Sequence, residues 1–293
     1  QALIDLGCAA RDRTAARIIA VTGSVGKTTS KEMLRQALSP SGSVHASVAS
    51  FNNHWGVPLT LARMPETTDY GIFEIGMNHA GEIRPLVGMV RPHIAMITTI
   101  AAAHLGNFRD LEEIAAAKAE IFEGVVPGGH AILNRDNEQF AFLERAAKAA
   151  GVSHIHSFGA DPGSEFRLLD FTSGPEGSLL RAAVGGQTLE VPMGAPGRHI
   201  AENAVAVLGA VHLAGGDIEK AMAGLATMEA EKGRGRRYRL AKDGGWFTLI
   251  DESYNANPAS MRAAIALLRD AEPHGRGRRI AVLGDMLEMG EHS

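Results

Sequence analysis

A glycine-rich segment near residue 25 has the residue types that bind phosphate groups. The apolar run RIIAVT leads directly into GSVGKTT, and a helical pattern follows. A glycine-rich turn at the start of a helix lets backbone N–H groups converge on phosphate oxygens, and the helix dipole adds to the attraction. In such a loop the lysine reaches the β- and γ-phosphates of a nucleotide, and the hydroxyl that follows binds Mg²⁺. The candidate binding residues are Gly23, Ser24, Val25, Gly26, Lys27, Thr28 and Thr29.

The spacing of this loop departs from the standard phosphate-loop motif. The motif G-x-x-x-x-G-K-[ST] requires a glycine at the position that Val21 occupies. A strand, two glycines, Lys-Thr-Thr and a helix still occur in the order that a phosphate loop needs. We therefore predict a shortened loop, TGxxGKTT, in preference to a glycine turn that only begins a helix.

Two further polar side chains follow predicted strands. Glu74 ends the apolar run YGIFEI, and His104 lies in the loop after the run HIAMIT. In open α/β sheets ligands bind beyond the carboxyl ends of the strands, so both side chains would lie at the same edge as the glycine-rich loop. A carboxylate at that edge supplies the oxygen ligands that Mg²⁺ prefers. A salt-bridged glutamate and a solvated histidine are the alternatives.

A lysine lies at the centre of an apolar helical stripe. In LEEIAAAKAEIFEGV the apolar residues recur at helical spacing, and Lys118 falls among them, facing inward. Burial lowers the pKa of a lysine and favours its neutral, reactive amine. The alternative is a lysine whose stem covers apolar surface while its ammonium group reaches solvent.

Polar candidates also occur in the second half of the sequence. Asn203 lies among apolar residues on one face of a helical pattern, where a ligand could bind its amide. Arg234, Arg236 and Arg237 lie in the glycine-punctuated segment EKGRGRR, between two α/β patterns. Guanidinium groups there would suit a cleft that closes on a phosphate, and solvated linker charges are the alternative.

The elements that must position these residues predict an α/β fold. Short apolar runs alternate with helical patterns, which is typical of βαβ units in a parallel sheet with helices on both faces. The predicted strands are residues 17–22, 44–48, 70–75, 93–98, 130–134 and 154–158. The predicted helices between them are residues 28–38, 57–64, 81–90, 111–125 and 137–150.

The pattern changes after residue 159. Three short runs within residues 165–191 predict a small antiparallel meander, and helices at 200–214 and 217–226 follow it. Strands near residue 239, at 246–251 and at 279–283, with a helix at 258–271, predict the beginning of a second, Rossmann-like α/β domain. We thus predict an N-terminal remnant or linker at residues 1–16, a central ATP-binding phosphate-loop domain at 17–230, a linker at 231–237 and the beginning of a C-terminal domain at 238–293.

The composition disfavours several classes of protein. In 293 residues, 29 Lys and Arg against 33 Asp and Glu give a net charge of −4, so no basic surface for nucleic acid is expected. No apolar run reaches the roughly 20 residues of a membrane-spanning helix, and charges near the N-terminus disfavour a secretory signal. The single Cys8 fits a reducing compartment. We expect a soluble, cytoplasmic monomer that binds no nucleic acid and inserts into no membrane.

These residues, in this order, resemble the Mur ligase family. TGSVGKTT is similar to the ATP loop of that family, and GRHIAENAVAV is similar to its nucleotide-binding asparagine motif. Within the family the resemblance is greatest to the MurF branch, through FNNHWGVPLTL, EIGMNHAGEI, AAAHLGNF, DESYNANPASM and VLGDMLEMG. It extends over about residues 17–290. The branch also has an N-terminal domain for a uridine nucleotide and a longer C-terminal domain, which we expect this sequence to lack.

The resemblance implies a metal site. The lysine at the Lys118 position would be carbamylated by CO₂ and become an anionic metal ligand. Thr28 and Glu74 would bind one Mg²⁺, and His104 would bind a second together with carbamylated Lys118. The catalytic residues implied by the resemblance are Lys27, Glu74, His104 and Lys118.

The resemblance also implies contacts to ATP outside the phosphate loop. Asn203 would contact the nucleotide, and Glu252 would contact its ribose, with Asn255 in the same DESYNAN segment. A linker arginine would contact the γ-phosphate. The spacing favours Arg237, and Arg236 is the alternative.

The reaction implied is that of an ATP-dependent amide ligase of peptidoglycan synthesis. The terminal carboxylate of a UDP-N-acetylmuramoyl-tripeptide attacks the γ-phosphate of ATP, and D-alanyl-D-alanine then displaces phosphate from the acyl phosphate. Such chemistry depends on positioning and charge neutralisation more than on a protein nucleophile. The alternatives are another Mur-type ligase, a folylpolyglutamate-type ligase, and an ATP-binding regulatory module without ligase activity.

Overall fold

The computed structural model describes residues 1–102, 106–174, 177–273, 275 and 277–286. Within these ranges one large sheet contains the strands β1 (Arg17–Thr22), β2 (Val44–Ala46), β3 (Tyr70–Glu74), β4 (Ile94–Ile97), β5 (His130–Asn134), β6 (His154–Gly159), β7 (Phe166–Gly174), β8 (Gly177–Val184) and β9 (Gln187–Met193). Their order across the sheet is β2-β3-β1-β4-β5-β6-β7-β8-β9.

The first six strands are parallel, and β1 lies between β3 and β4. Ile18 and Ala20 belong to the core on one face of the sheet, whereas Ile19 and Val21 belong to the core on the other face. Burial on both faces is why this strand is apolar throughout. The predicted parallel sheet is confirmed.

The predicted antiparallel meander is also confirmed, as strands β7, β8 and β9. It does not stand apart from the parallel strands, because β7 pairs in parallel with the end of β6. The three strands therefore extend the edge of the same sheet.

Helices cover both faces of the sheet. One core contains side chains of α2 (Lys27–Leu38), α7 (Arg198–Leu213) and α8 (Ile218–Ala226). The other contains side chains of α3 (Gly56–Ala62), α4 (Ile83–Val90), α5 (Leu111–Ala119) and α6 (Phe140–Ala149). The predicted helix at 111–125 is divided, since α5 ends at Ala119 and a 3₁₀ turn occupies Glu120–Gly124.

A helix that the sequence pattern did not predict precedes the sheet. In α1 (Ala2–Asp12), Gly7 packs closely against Pro58 of α3. The Arg11 side chain donates hydrogen bonds of 2.8 and 2.9 Å to the carbonyl oxygens of Val90 and Arg91. These bonds satisfy acceptors at the end of α4 and attach α1 to the second core face.

The last part of the described chain contains a hairpin and a helix. Strands β10 (Arg236–Lys242) and β11 (Gly245–Asp251) are antiparallel, and Asp243 and Gly244 at their turn have positive φ angles, as two-residue hairpin turns require. Helix α9 (Pro258–Asp270) begins with a capping box in which Asn257 and Ser260 exchange hydrogen bonds.

The predicted strand at residues 279–283 is wrong. Residues 277–286 have no regular secondary structure, and the Val282 side chain is 93% exposed. A short apolar run forms a strand only beside another strand, and no described strand pairs with this segment. In the described ranges, no helix combines the length and the apolar character that a membrane span needs.

Candidate functional site

The glycine-rich segment joins β1 to α2 as predicted, and two of its glycines have conformations that other residues rarely adopt. Gly23 has φ +148°, and a Cβ atom there would lie 2.0 Å from Thr98 Oγ1. Gly26 has φ +87°, and a Cβ atom there would lie 2.7 Å from the Asn203 side-chain nitrogen. The loop therefore needs glycine at both positions, and Asn203 lies directly beside it.

The loop is held by the segment that follows β4. The Ser24 N–H donates to the Thr99 carbonyl oxygen at 2.8 Å, and the Ser24 hydroxyl donates to the Ala101 carbonyl oxygen at 2.9 Å. Thr98 Oγ1 donates to the Val25 carbonyl oxygen at 2.6 Å. These bonds fix the conformation of the loop, and α2 begins immediately after Gly26.

Lys27 closes over the loop. Its Nζ donates to the Gly23 carbonyl oxygen at 2.7 Å. Burial lowers the pKa of Lys27, the carboxylate of Glu74 raises it, and the guanidinium of Arg234 lowers it. The Lys27 ammonium group is thus within electrostatic range of Glu74, at the carboxyl end of β3, and of Arg234, which precedes β10.

Glu74 has a carboxylate oxygen without a hydrogen-bond partner. The residue is 1% exposed, and its backbone lies beside Val21 at the end of β1. Its Oε1 accepts a 2.8 Å hydrogen bond from Asn52 Nδ2, but its buried Oε2 accepts none among the described residues. Burying such an oxygen is costly unless a cation or donor is supplied.

Thr28 and Glu74 offer the kinds of oxygen that Mg²⁺ binds. Thr28, the second residue of α2, is buried at the start of that helix and offers a hydroxyl oxygen. Carboxylate and hydroxyl oxygens together with phosphates are the ligands that Mg²⁺ selects. The predicted ligand His104 lies outside the described residues. Among those that are described, no three His, Cys, Asp or Glu side chains form a metal-binding group.

Lys118 faces the interior, as the apolar stripe predicts. Lys118 is 2% exposed. It lies in α5, whose first turn is capped by the Asp110 side chain, which accepts a hydrogen bond from the Glu113 N–H. Burial places the pKa of Lys118 well below its usual value, and the neighbouring charge of Lys27 lowers it further. Because the side chain is buried, the alternative of an ammonium group reaching solvent is wrong. The low pKa favours the neutral form of the amine.

The three linker arginines lie in different environments. Arg236 is exposed and pairs with Glu229 at 3.0 Å, while Arg237 is half-buried on β10 and its pKa is lowered by burial. Arg234 lies with its Cζ 4.2 Å from the ring centre of Tyr254. The charge of Arg234 lowers the pKa of Lys27, a role that the sequence analysis did not assign to Arg234.

Glu252, predicted to contact the ribose, and Asn255, predicted to bind the nucleotide, lie after β11. Glu252 is half-buried, and burial raises its pKa to about 7 against the lowering effect of Arg234. Asn255 is exposed, and its Oδ1 accepts a hydrogen bond from the Ala256 N–H at 2.9 Å. Asn203 is half-buried rather than fully buried, so its amide is open to a ligand beside the loop.

Two side chains that support the site were missed by the sequence analysis. Asn52 lies in the quoted segment FNNHWG, yet nothing in the sequence indicated that its amide reaches Glu74. Lys31 is fully buried in α2. Its spacing from Leu34 and Leu38 on the same helix was a detectable signal of the kind that identified Lys118.

Comparisons with known proteins identify relatives that agree with one another. The sequence matches the family model described as "Mur ligase middle domain" over residues 21–211, and the one described as "Mur ligase, glutamate ligase domain" over residues 233–293. It is 36% identical over 293 residues to the UDP-N-acetylmuramoyl-tripeptide--D-alanyl-D-alanine ligase of Rickettsia prowazekii, covering 100% of this chain and 64% of the relative. The ligase of the same name from Escherichia coli is 36% identical over 289 residues, covering 99% of this chain and 62% of the relative.

Solved structures give the same result. A crystal structure of MurF from Acinetobacter baumannii superposes with a TM-score of 0.91 at 34% identity, covering 99% of this chain and 61% of that one. The fold is also similar to that of MurF ligase from Thermotoga maritima in complex with ADP, with a TM-score of 0.80 at 22% identity. The chain spans less than two thirds of the length of these relatives.

Proposed function

Because the chain belongs to the Mur ligase family, we propose that it carries the ATP site of a ligase that joins D-alanyl-D-alanine to a UDP-N-acetylmuramoyl-tripeptide. The relatives that bear this name, and the segments NNHWG and SYNANP, support the choice of substrates. The product is a precursor of peptidoglycan, and its synthesis in the cytoplasm agrees with one free cysteine and no disulfide. The unmatched residues 212–232 between the two family models support the predicted division near residues 231–237.

One observation carries the proposal. The charge of Lys27, at the start of the phosphate loop's helix, acts on both Glu74 and Lys118, which lie on different elements. The lysine proposed to bind phosphate therefore lies within electrostatic range of a carboxylate with an open oxygen, and also of a buried amine whose neutral form is favoured. Phosphoryl transfer needs this combination of charge neutralisation and fixed position.

The surroundings of Lys118 favour carbamylation of its amine. A neutral amine attacks CO₂, forming an N–C bond and releasing one proton to solvent, and the product is an anion. That anion would lie near Lys27, which disfavours the ammonium form of Lys118 but stabilises a negative charge. We propose that carbamylated Lys118 and His104 hold one Mg²⁺, and that Thr28 and Glu74 hold another, because Mg²⁺ neutralises phosphate charge during the transfer.

The remaining residues bind and orient ATP. The N–H groups of Gly23 to Thr29 and the ammonium of Lys27 would bind its β- and γ-phosphates. Asn203 would contact the nucleotide beside Gly26. Glu252 would contact the ribose, and Asn255 would bind the nucleotide from the same segment.

A guanidinium group would stabilise the γ-phosphate during transfer. Arg237 remains the prediction from spacing, with Arg236 as its alternative. We add Arg234 as a candidate, because its charge acts on Lys27 and on Glu252 alike.

The reaction then proceeds in two steps. A carboxylate oxygen of the tripeptide attacks the γ-phosphorus, the bond to the β-phosphate oxygen breaks, and ADP leaves. The amine of D-alanyl-D-alanine attacks the acyl carbon, and phosphate leaves with the carboxylate oxygen while the amine loses a proton. Orientation of the two reactants supplies a large part of the rate.

The choice of acceptor is tested by phosphate release. With ATP, Mg²⁺ and UDP-N-acetylmuramoyl-tripeptides that differ in their third residue, we expect D-alanyl-D-alanine to stimulate phosphate release and to yield one amide per phosphate. Glutamate, lysine and diaminopimelate should not stimulate it. Stimulation by one of these amino acids would identify another Mur-type or a folylpolyglutamate-type ligase instead. Release of no phosphate by the full-length protein, whichever acceptor is offered, would favour the regulatory module.

A further inference from the structure

A second buried lysine lies one helical turn after Lys27. Lys31 is 0% exposed, and its Nζ donates to the carbonyl oxygens of Ser47 and Ala49 at 2.8 and 2.7 Å. It also pairs with Glu32 Oε1 at 2.8 Å. The three protons of the ammonium group are thus matched by three acceptors, which is what allows a lysine to be fully buried.

The two carbonyl groups belong to the segment that carries Asn52. This segment, residues 47–52, leaves the end of β2 and passes over the carboxyl end of β3. Ala49 has φ +46°, which an alanine rarely adopts, and its carbonyl is held by Lys31. The segment ends with the Asn52 carbonyl oxygen accepting from the Gly76 N–H at 2.8 Å.

The other side of this segment contacts Glu74 twice. Ser47 Oγ accepts a 3.2 Å hydrogen bond from the Glu74 backbone N–H. Asn52 Nδ2 donates to Glu74 Oε1 at 2.8 Å and leaves only Oε2 without a partner. The position of the segment therefore decides which oxygen of the carboxylate is open and where it points.

We propose that Lys31 is a positioning residue for the metal-binding carboxylate: it fixes residues 47–52, so that Asn52 orients Glu74 with Oε2 toward the cation. The inference rests on the proposed Mg²⁺-nucleotide site. Lys27 and Lys31 lie on the same face of α2, so one helix binds the phosphates and holds the carboxylate that receives their Mg²⁺. Lys31 itself touches neither metal nor nucleotide.

The test measures the Mg²⁺ requirement of nucleotide binding in the full chain. In Lys31→Met, the Mg²⁺ concentration for half-maximal tightening of ATP binding should rise about tenfold, the effect typical of losing the support of a metal ligand. ATP affinity in EDTA should stay within about twofold of the parent. Lys31→Gln, which keeps an N–H donor but ends one bond short of the lysine ammonium group, should shift in the same direction by less.

Two further variants separate positioning from a general loss of stability. Arg11→Met removes another buried cation that donates to two backbone carbonyls, far from Glu74. It should lower the melting temperature without changing the Mg²⁺ requirement. Asn52→Ala should raise that requirement about as much as Lys31→Met, and the double variant should raise it no further, because both changes break one chain of contacts.

Three results would overturn the inference. A Mg²⁺ requirement in Lys31→Met equal to that of Arg11→Met would leave Lys31 with a structural role alone. Additive shifts in the double variant would mean that Lys31 does not act through Asn52. If the parent chain binds ATP with no dependence on Mg²⁺, the proposed function fails and the inference with it, whereas the first two results leave the proposed function intact.

Discussion

Replacing Lys118 by alanine should lower ligase turnover by at least about a hundredfold, which is the usual cost of removing a group that stabilises charge in the transition state. The amine is buried and its lowered pKa favours the neutral form that reacts with CO₂, whereas alanine has no amine to carbamylate. Turnover of the parent should also depend on bicarbonate and fall when CO₂ is removed from the buffers. Steady-state phosphate release at fixed D-alanyl-D-alanine measures both effects.

Chemical rescue makes the Lys118 experiment specific. Lys118→Ala leaves space for a small carboxylate, so acetate or formate should restore part of the activity by replacing the carbamate as an anionic ligand. Lys148→Ala, which changes an exposed lysine on α6, is the matched control and should need no rescue. Equal turnover in the parent and in Lys118→Met would contradict the carbamate proposal.

Stability provides an independent readout for Lys118. Because the pKa of Lys118 is lowered in the folded state, the unfolded chain binds more protons than the folded chain between the folded and the unfolded pKa of this lysine. The parent therefore gains stability as the pH rises through that range. Lys118→Met has no ionisable amine at this position, so its unfolded chain binds no extra proton there. It should therefore unfold at a higher temperature than the parent near neutral pH, by a margin that shrinks as the pH is raised.

Lys27→Ala should weaken Mg-ATP binding by about ten- to a hundredfold, because a charge-assisted contact to phosphate contributes roughly 1.5–3 kcal/mol. The fold should survive, since the hydrogen bond that its Nζ makes among the described residues is to the Gly23 carbonyl oxygen within the same loop. Titration with a fluorescent nucleotide measures the affinity, and Lys148→Ala again serves as the exposed control. If Lys27→Ala binds Mg-ATP as tightly as the parent, the assignment of the phosphate loop is wrong.

Local patterns in the sequence were sufficient for the parallel sheet and for Lys118. An apolar strand buried on both faces and a helix with one apolar stripe are each visible within a window of a few residues. The inward orientation of Lys118 follows from its stripe alone. The same argument applied to α2 would have identified Lys31.

Features that depend on distant partners could not be predicted. Helix α1 is held by Arg11 through carbonyl groups about eighty residues away in the chain. The run at 279–283 has an apolar composition typical of a strand but no described neighbour to pair with. Three arginines within four residues look alike in sequence, and only the fold reveals that the charge of Arg234 acts on Lys27.

We propose that this site activates a carboxylate with the γ-phosphate of ATP. The most direct test uses UDP-N-acetylmuramoyl-tripeptide labelled with ¹⁸O in its terminal carboxylate, with ATP, Mg²⁺ and D-alanyl-D-alanine, and mass analysis of the released phosphate. We predict that each amide formed transfers one ¹⁸O atom from the carboxylate to phosphate. Phosphate that contains no ¹⁸O, released while the labelled carboxylate is consumed, would contradict the account.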